Sequence, residues 1–478
     1  MSKTLASPIM PPEVRDAYLR TNFVLFVEAC FPLVHQGFTL APNWHIDLMA
    51  DYLTAFHHRK IKNLIVSVPP RHLKSFVISV CYVAWVLGHD PTKHIICLSY
   101  SAELAEAHAR KCREIMNSAL YQQLFTNTRL SAKRSAIHDF ETTRGGLRLS
   151  TSIGGTLTGR GCDILIVDDP IKPEEAYSAA HRRRTNEFFD LTVWSRLNNK
   201  ETDGVIIVMQ RLHVNDPIAH LMESEPDFCH LSLSAIAEKD EYWTTRDQGA
   251  IVRKQGEVID PRRESLATLQ KIKAKMGSMA FNAQYQQTPA PLEGNLVKWD
   301  WFRTYDQPNG GQAGDQIIQS WDTAVKGGDQ NDYSVCTTWL RRNNAYYLID
   351  VFREKLNTPH LKKKIIELKQ IHNADTILIE DTSSGSYLIP ELETLGVYPI
   401  GIQPKGDKIM RFQAVTPKIE AGQVFLPKSA YWLDDFKAEL LAFPQHSHDD
   451  QVDSMAQYLT WESEPKPFIG SIPISGLV

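Results

Sequence analysis

The sequence lacks the features that mark a secreted or membrane-spanning protein. Its 478 residues include seven cysteines, an odd number, and no two are spaced as Cys-x-x-Cys. This argues against a disulfide framework and a cysteine zinc site, and is typical of a reducing cytosol. The longest predominantly apolar run, residues 76–87, is too short to cross about 30 Å of hydrocarbon. No apolar run precedes Phe23, so we expect neither a signal peptide nor a membrane segment.

An excess of charge of one sign is also lacking. Lys and Arg number 52 and Asp and Glu 56, which leaves a formal net charge of −4. Any binding of nucleic acid must therefore come from a local basic surface. Hydrophobic residues make up 43% of the chain, enough for ordinary cores, which excludes a disordered or collagen-like chain. The length indicates two or three domains.

Two patterns of secondary structure divide the chain. The first alternates short apolar runs with helical segments, which predicts a mainly parallel sheet with helices on both faces. Its predicted strands are 63–68, 94–99, 147–150, 164–168 and 205–209. The second has three antiparallel strands followed by alternating helices and strands, the order expected of a ribonuclease-H-like domain. Its predicted strands are 317–323, 333–341, 345–352, 376–380 and 398–402, with a hairpin turn at Asn343-Asn344.

The predicted organisation is therefore two α/β domains joined by a linker. Between them the pattern weakens into mixed polar residues with one helix at 265–276. The predicted segments are an N-terminal segment (1–37), a first domain (38–235), a linker (236–314), a second domain (315–465) and a C-terminal tail (466–478).

A loop in the first domain has the layout of a P-loop. Strand 63–68 runs into a loop that ends in Lys74-Ser75, and an apolar helix follows. In such a loop backbone N–H groups hold phosphates, the lysine reaches the β- and γ-phosphates, and the serine ligates Mg²⁺. The residues expected to bind nucleotide here are Pro70, Arg71, His72, Leu73, Lys74 and Ser75. Val68 and Leu73 stand where the standard pattern has glycine, so an ordinary turn with an exposed lysine stays open as an alternative.

Polar residues at two later strand ends fit the same site. The buried strand 164–168 delivers Asp168 to the carboxyl edge of the sheet, where ligands bind in α/β folds. We expect Asp168 to hold Mg²⁺ and Asp169 to orient or deprotonate the attacking water. Gln210, after strand 205–209, is expected to sense the γ-phosphate. The candidate arginine fingers are Arg71, Arg160 and Arg211, and for each an ordinary salt bridge is the alternative.

Acidic residues converge in the second domain. Asp322 lies in the first strand and Glu380 ends another, and a helix begins near residue 449. Carboxylates buried together repel unless cations neutralise them, and two Mg²⁺ or Mn²⁺ ions would do so while clamping a phosphodiester. The predicted catalytic acids are Asp322, Glu380 and Asp450, with Asp449 and Asp453 as further candidate metal ligands. The alternative is unrelated acids, those at the helix start serving as caps and dipole partners.

A basic segment lies between Glu380 and the final acids. Lys405, Lys408 and Arg411 fit a phosphate-binding surface. A solvated basic turn explains them equally well.

Together these motifs resemble the large terminase subunit of tailed bacteriophages. The resemblance covers about residues 38–462 and rests on segments 68–75, 157–161, 164–170, 210–213, 281–287, 321–324, 331–334 and 448–453. It implies a P-loop ATPase domain and a ribonuclease-H-like nuclease domain in one DNA-packaging motor. Such a motor uses ATP and Mg²⁺ to move double-stranded DNA into a procapsid, and cuts concatemeric DNA with two divalent metals.

The resemblance also implies partners and a location. The implied partners are double-stranded DNA, the portal protein, a small terminase subunit and further copies of the chain in a ring on the portal, with no membrane. The implied location is the cytoplasm of the infected bacterium, and transiently the portal vertex of the procapsid.

One departure from the family and three other interpretations stay open. The family usually has Asp-Glu where this chain has Asp168-Asp169, and aspartate is one methylene shorter. The other interpretations are a helicase or translocase with an inactive second domain, an ATP-independent transposase-like or resolvase-like nuclease, and a structural capsid or portal component.

Overall fold

The chain forms two compact units. The computed structural model describes residues 11–155, 157, 159–290, 296–307, 311–323, 333–382, 385–445 and 448–464. Unit 1 is Met1–Pro291 and unit 2 is Leu292–Val478. Outside the described residues lie the predicted tail 466–478, the first ten residues of the predicted N-terminal segment, residue 465, and parts of motif segments 157–161, 321–324 and 331–334.

Unit 1 alternates strands and helices along most of its length. Its strands are β1 (Asn63–Ser67), β2 (His94–Ser99), β3 (Leu130–Ser135), β4 (Asp139–Thr142), β5 (Leu147–Ser152), β6 (Ile164–Asp168), β7 (Gly204–Val208), β8 (Phe228–Ser232), β9 (Glu241–Thr245) and β10 (Gly249–Arg253). Its α-helices are α1 (Pro12–Thr21), α2 (Phe23–Val34), α3 (Trp44–His57), α4 (Val83–His89), α5 (Ala102–Asn117), α6 (Ala119–Leu124), α7 (Ala179–Phe188), α8 (Pro217–Ser224), α9 (Leu266–Met276) and α10 (Ser278–Gln284). Phe76–Tyr82 and Phe189–Val193 are π-helical.

Within the described part of unit 1, an eight-stranded sheet has the order β3-β4-β5-β2-β6-β7-β1-β8. From β5 to β8 neighbouring strands are parallel, and β3 and β4 add an antiparallel edge. Every residue of β1, β6 and β7 is buried, because helices cover both faces of a parallel sheet. The carboxyl ends of β1, β6 and β7 therefore meet at one edge of the sheet.

The segment predicted as a linker, 236–314, is divided differently in the structure. Residues 236–290 lie in unit 1, where β9 and β10 pair as a hairpin and α9 and α10 follow. Asn43 Nδ2 donates to the Ile259 carbonyl at 3.3 Å, which ties this segment to the start of α3. The boundary between the units falls after Pro291 because residues 236–290 are held by contacts with distant parts of unit 1 rather than by a strong local pattern.

Unit 2 is built on a mixed sheet. Its strands are β11 (Arg303–Tyr305), β12 (Gln316–Asp322), β13 (Ser334–Arg342), β14 (Ala345–Glu354), β15 (Thr376–Glu380), β16 (Ile400–Ile402) and β17 (Val424–Pro427). Its helices are α11 (Thr358–His372), α12 (Gly385–Thr394), α13 (Lys408–Glu420), α14 (Leu433–Ala442) and α15 (Asp450–Trp461).

The strands that the structure describes in unit 2 form a seven-stranded sheet in the order β11-β17-β14-β13-β12-β15-β16. β12, β13 and β14 are antiparallel neighbours, and β15 joins β12 in parallel. The turn between β13 and β14 has Asn343 at φ 54°, as the predicted two-residue hairpin requires. β11 pairs with β17, so this sheet begins before residue 315, where the second domain was predicted to start.

Among the described residues, no single helix is long and apolar enough to cross a membrane. α1 and α2 meet that criterion only when taken together, across a bend of 103°.

Candidate functional site

The loop before Phe76 carries the predicted nucleotide-binding residues at the carboxyl end of β1. Arg71 and Leu73 have φ of 65° and 64°, in the left-handed region that favours glycine. Leu73 occupies a position where the standard pattern has glycine, so the loop keeps a left-handed turn without it. A non-glycine residue there costs on the order of 1–3 kcal/mol, which the surrounding structure must offset.

The lysine of this loop points into the protein rather than into solvent. Lys74 is 6% exposed, and its Nζ donates to Gln210 Oε1 at 2.6 Å and lies 3.7 Å from Asp169 Oδ2. The interpretation as an ordinary turn with an exposed lysine is therefore wrong. Because Gln210 follows β7, the lysine links the loop to two strand ends.

Asp168 is held by two serines and a histidine. Ser75 Oγ donates to Asp168 Oδ1 at 3.0 Å, and Ser79 Oγ donates to Oδ2 at 2.5 Å. His108 Nδ1, from α5, lies 3.5 Å from the same Oδ2. Burial raises the pKa of Asp168, while the Ser79 hydrogen bond and the charge of Lys74 lower it. This carboxylate, with a serine hydroxyl beside it, is the kind of oxygen cluster that Mg²⁺ prefers.

Asp169 is the less constrained of the two acids. Its φ of 49° is left-handed, and its Oδ1 is buried without a hydrogen-bond partner among the described residues. Burial raises its pKa to about 6, and the charge of Lys74 opposes that rise. A buried carboxylate oxygen without a donor is suited to receive one from a ligand or water.

Residues 259–263 support the loop from behind. Arg263 Nη1 donates to the Arg71 carbonyl at 2.7 Å. The His72 ring is buried, with Nδ1 2.9 Å from the Pro70 carbonyl, and the His45 ring centroid lies 5.5 Å away. Burial lowers the pKa of both histidines, so neither adds charge beside the loop at neutral pH.

The three candidate arginine fingers lie in different environments. Arg211 Nε lies 2.9 Å from Asp216 Oδ2, and that carboxylate is fully buried. Arg160 Nη1 lies 3.5 Å from Asp139 Oδ2. Arg71 is exposed in the loop itself. The salt-bridge alternative therefore describes Arg211 and Arg160 as the structure has them.

The predicted acids of unit 2 come together at one end of its sheet. Trp321 pairs with Ile379 across β12 and β15, so the next residues, Asp322 and Glu380, are neighbours. α15 lies against β12, where Ser454 Oγ donates to the Ser320 carbonyl at 2.8 Å. Burial raises the pKa of Asp322 well above its usual value, and the charges of Asp453, Glu380 and Asp450 raise it further. Acids from two strands and one helix therefore act on each other.

Two cationic side chains of α13 reach these acids. Lys408 Nζ lies 2.5 Å from Asp449 Oδ1 and 2.8 Å from Asp453 Oδ2. Arg411 lies 2.9 Å from Asp453 Oδ1 and 3.5 Å from Glu380 Oε2. Lys408 and Arg411 are thus paired with acids rather than forming a solvated turn. The predicted third member, Lys405, lies apart and pairs with Glu464 at 3.2 Å.

Asp450 is the helix-start acid with an unused oxygen. Its Oδ2 is buried without a hydrogen-bond partner in the described chain, and burial raises its pKa to about 6. As the side chains are placed, no group of three or more His, Cys, Asp or Glu residues among those described is arranged to hold a metal ion. Metal binding by Asp322, Glu380, Asp449, Asp450 and Asp453 therefore stays a prediction.

The structure adds residues that the sequence motifs did not indicate. Ser79 lies one turn beyond Ser75, and its serine at that spacing was the one available signal. His108 and Glu439 come from helices far from the motifs, and no local pattern in the sequence marks either of them.

Comparison with known proteins places both units. Residues 319–460 match the model of the terminase RNaseH-like domain family. The large terminase from a thermophilic bacteriophage, in the second of its crystal forms, has a TM-score of 0.52 at 10% identity. That match covers 88% of this chain and 99% of that one. No curated protein sequence matches.

Isolated nuclease domains are also similar to part of this chain. The large terminase nuclease from thermophilic phage G20c with bound cobalt has 15% identity and a TM-score of 0.28, over 36% of this chain and 98% of that one. The nuclease domain from Thermus phage P74-26 has 16% identity and a TM-score of 0.26, over 33% and 90%.

The domain match and the fold of the full-length phage terminase confirm two of the predictions. The chain resembles a large terminase subunit, and its fold class is α/β with a mainly parallel ATPase-type sheet and a ribonuclease-H-like domain.

Proposed function

We propose that this chain is the large subunit of a phage terminase, a DNA-packaging motor that hydrolyses ATP and cuts DNA. One observation carries the proposal: a buried P-loop lysine bound to two strand-end residues occurs in the same chain as a terminase RNaseH-like domain. Translocation of double-stranded DNA into a procapsid, and cutting of concatemeric DNA, follow from that combination. The portal protein, a small subunit and a ring of copies are the proposed partners, and the host cytoplasm is the proposed location.

In unit 1 the residues fit a nucleotide with Mg²⁺. Backbone N–H groups of residues 70–75 and Lys74 bind the phosphates, and Ser75 and Asp168 hold the cation. Asp169 orients the water and accepts its proton, because its unpartnered oxygen is buried beside Lys74. Gln210 is hydrogen-bonded to Lys74, so a phosphate that engages the lysine changes the contacts of β7.

In unit 2 the acids fit divalent cations because five carboxylates stand at one end of the sheet and one buried oxygen of Asp450 has no donor among the described residues. Asp322, Glu380 and Asp450 are the proposed ligands, with Asp449 and Asp453 beside them. When bound, two divalent ions supply an activated water and stabilise the leaving oxygen of a phosphodiester. Lys408 and Arg411 balance the acids' charge and are close enough to contact a DNA phosphate.

The test separates the two activities in the full-length protein. ATP hydrolysis and plasmid cleavage with Mg²⁺ or Mn²⁺ are measured on one preparation of the parent, Lys74→Ala and Asp322→Ala proteins. We expect Lys74→Ala to lose hydrolysis and keep cleavage, and Asp322→Ala to do the reverse. Each loss should be roughly 10²-fold or more, because each variant removes a group that stabilises developing charge.

Exposed residues of the same type provide the controls. Lys133→Ala in unit 1 and Asp300→Ala in unit 2 change the same charges away from either site and should keep both activities. Hydrolysis without cleavage in the parent protein would favour a translocase with an inactive second domain. Cleavage without hydrolysis would favour an ATP-independent nuclease. Equal loss of both activities in folded Lys74→Ala would contradict two separate sites.

A further inference from the structure

We infer that Glu439 is a positioning residue of the nuclease, which caps α15 from the neighbouring helix α14 and so leaves the aspartates of α15 free for metal. The inference rests on the proposed nuclease function. It concerns a residue that binds neither metal nor DNA itself.

Glu439 is buried against the start of α15. It is 1% exposed, and its Oε1 accepts hydrogen bonds from the backbone N–H groups of Gln451 at 2.7 Å and Val452 at 3.2 Å. Its Oε2 accepts a third from Gln451 Nε2 at 2.6 Å. The first N–H groups of a helix have no partner within the helix, so these bonds replace those of an ordinary N-cap.

The residue at the usual capping position does not cap. Asp449 precedes the first residue of α15, and its side chain makes no capping hydrogen bond. Its Oδ1 instead lies 2.5 Å from Lys408 Nζ. The expectation that Asp449 serves as a cap, which was the alternative to a metal site, is therefore wrong.

Moving the cap to α14 has a chemical consequence. A carboxylate that caps its own helix spends its oxygens on backbone N–H groups and cannot also ligate a metal with them. With Glu439 in that role, Asp449, Asp450 and Asp453 all keep their side chains for the acidic cluster. The negative charge of Glu439 also suits the positive end of the helix dipole.

A cation partly balances Glu439 from the other side. Arg353 Nη2 lies 3.7 Å from Glu439 Oε2, and its guanidinium stacks over the Tyr333 ring at 4.1 Å. Glu439 therefore lies between a helix N-terminus and an arginine, where an uncharged side chain of the same size would bind each more weakly.

The experiment compares Glu439→Gln and Glu439→Ala with Asp435→Asn, an exposed acid one turn earlier on α14. Three quantities are measured in the full chain: Mn²⁺ binding by calorimetry, the Mn²⁺ midpoint of plasmid cleavage, and amide hydrogen exchange of residues 449–455. ATP hydrolysis reports whether unit 1 is intact, and circular dichroism reports folding.

We expect Glu439→Ala to weaken Mn²⁺ binding and raise the cleavage midpoint by roughly 10–100-fold, the usual effect of removing a group that orients metal ligands. Glu439→Gln should do so by about 10-fold, since it keeps the size but loses the charge. Exchange at Gln451 and Val452 should quicken, excess Mn²⁺ should restore cleavage, and Asp435→Asn should match the parent in every measurement.

The outcomes separate this inference from the proposed function. If the parent binds no Mn²⁺ and cuts no DNA, the nuclease proposal fails and this inference with it. If the parent cuts and folded Glu439→Gln has the parent's Mn²⁺ affinity and midpoint, the inference alone is overturned. If Glu439→Ala does not fold, Glu439→Gln decides. A loss of cleavage that excess Mn²⁺ does not restore would indicate a role in folding only, and would also overturn it.

Discussion

At the scale of single residues, the nucleotide site is made of buried charges that compensate one another. Lys74 lies beside Asp169, and the charge of Lys74 also lowers the pKa of Asp168. Arg148, fully buried on β5, adds a second positive charge that lowers the pKa of Asp168. Two cations facing two carboxylates keep the acids ionised where burial alone would favour their protonated forms.

Asp169→Asn should abolish ATP turnover and keep ATP binding. The amide keeps the size of the side chain and leaves Lys74 and Ser75 untouched, but it cannot accept a proton from water. The expected fall in turnover is roughly 10²-fold or more, the usual contribution of a positioned general base. The measurement is steady-state hydrolysis beside binding of a fluorescent ATP analogue.

The control for this change is Glu174→Gln, a nearby exposed acid. Glu175 is less suited to replace Asp169, since it lies 3.7 Å from both Lys172 Nζ and His181 Nδ1. If Asp169→Asn hydrolyses ATP at the parent rate, another carboxylate activates the water, and the one-methylene difference from the family pattern is the reason to look for it.

At the scale of elements, the strands were predictable and the supporting contacts were not. Strands 94–99, 164–168 and 376–380 were predicted with the bounds that the structure shows, because apolar runs bounded by polar residues identify buried strands. Site residues at strand ends, such as Asp168 and Glu380, followed directly. The short strands β3, β4, β9 and β10 carry exposed residues and lack that pattern, so the sequence did not reveal them.

Contacts between elements far apart in sequence were equally hidden. Glu439 reaches Gln451 across a loop, and His108 reaches Asp168 from another helix. Neither contact follows from periodicity or from motif spacing, since both depend on how helices pack. The linker prediction failed for the same reason, because tertiary contacts hold residues 236–290 in unit 1.

The start of α3 gives a pH-dependent prediction. Burial raises the pKa of Asp47 to about 6, although Gln248 donates a hydrogen bond to it, and the charges of Asp247 and Asp51 raise it further. Burial and the charges of Asp47 and Asp247 likewise raise the pKa of Glu28. Between about pH 4 and 6 the folded state binds more protons than the unfolded state, so stability falls as pH rises through this window.

Asp47→Asn should therefore stabilise unit 1 above pH 6, by about 1–3 kcal/mol, and much less at pH 4–5. The measurement is calorimetric melting at pH 5 and pH 8, with Asp227→Asn, an exposed acid, as the control. An equal shift at both pH values would show that Asp47 is ionised throughout this range.

At the scale of the whole molecule, each unit has its own sheet and its own core. In unit 1 one buried cluster includes Leu64, Val66 and Ile206, and a second includes Ile65, Leu165 and Ile207. Unit 2 has a separate cluster that includes Trp321, Ile365 and Ile379. Separate cores allow the two proposed activities to be lost one at a time.

The boundary between the units predicts which fragments are stable. A fragment of residues 292–478 should melt several degrees higher than one of residues 315–478. The longer fragment keeps the pairing of β11 with β17 and the bond from the Tyr305 hydroxyl to the Leu348 carbonyl at 2.7 Å. A difference of about 2 kcal/mol corresponds to roughly 4–8 °C for a unit of this size. Equal melting temperatures would show that residues 292–314 contribute nothing to the fold.

The cap that α14 provides also bears on how this protein can be engineered. When a helix depends on its own first residues for capping, substitutions there change fold and chemistry together. The first turn of α15 is free of that coupling, because Glu439 supplies the hydrogen bonds from outside. Asp449, Asp450 and Asp453 can therefore be exchanged singly to silence cutting or to retune the choice of metal. A packaging motor that moves DNA without cutting it is best sought by redesigning that turn.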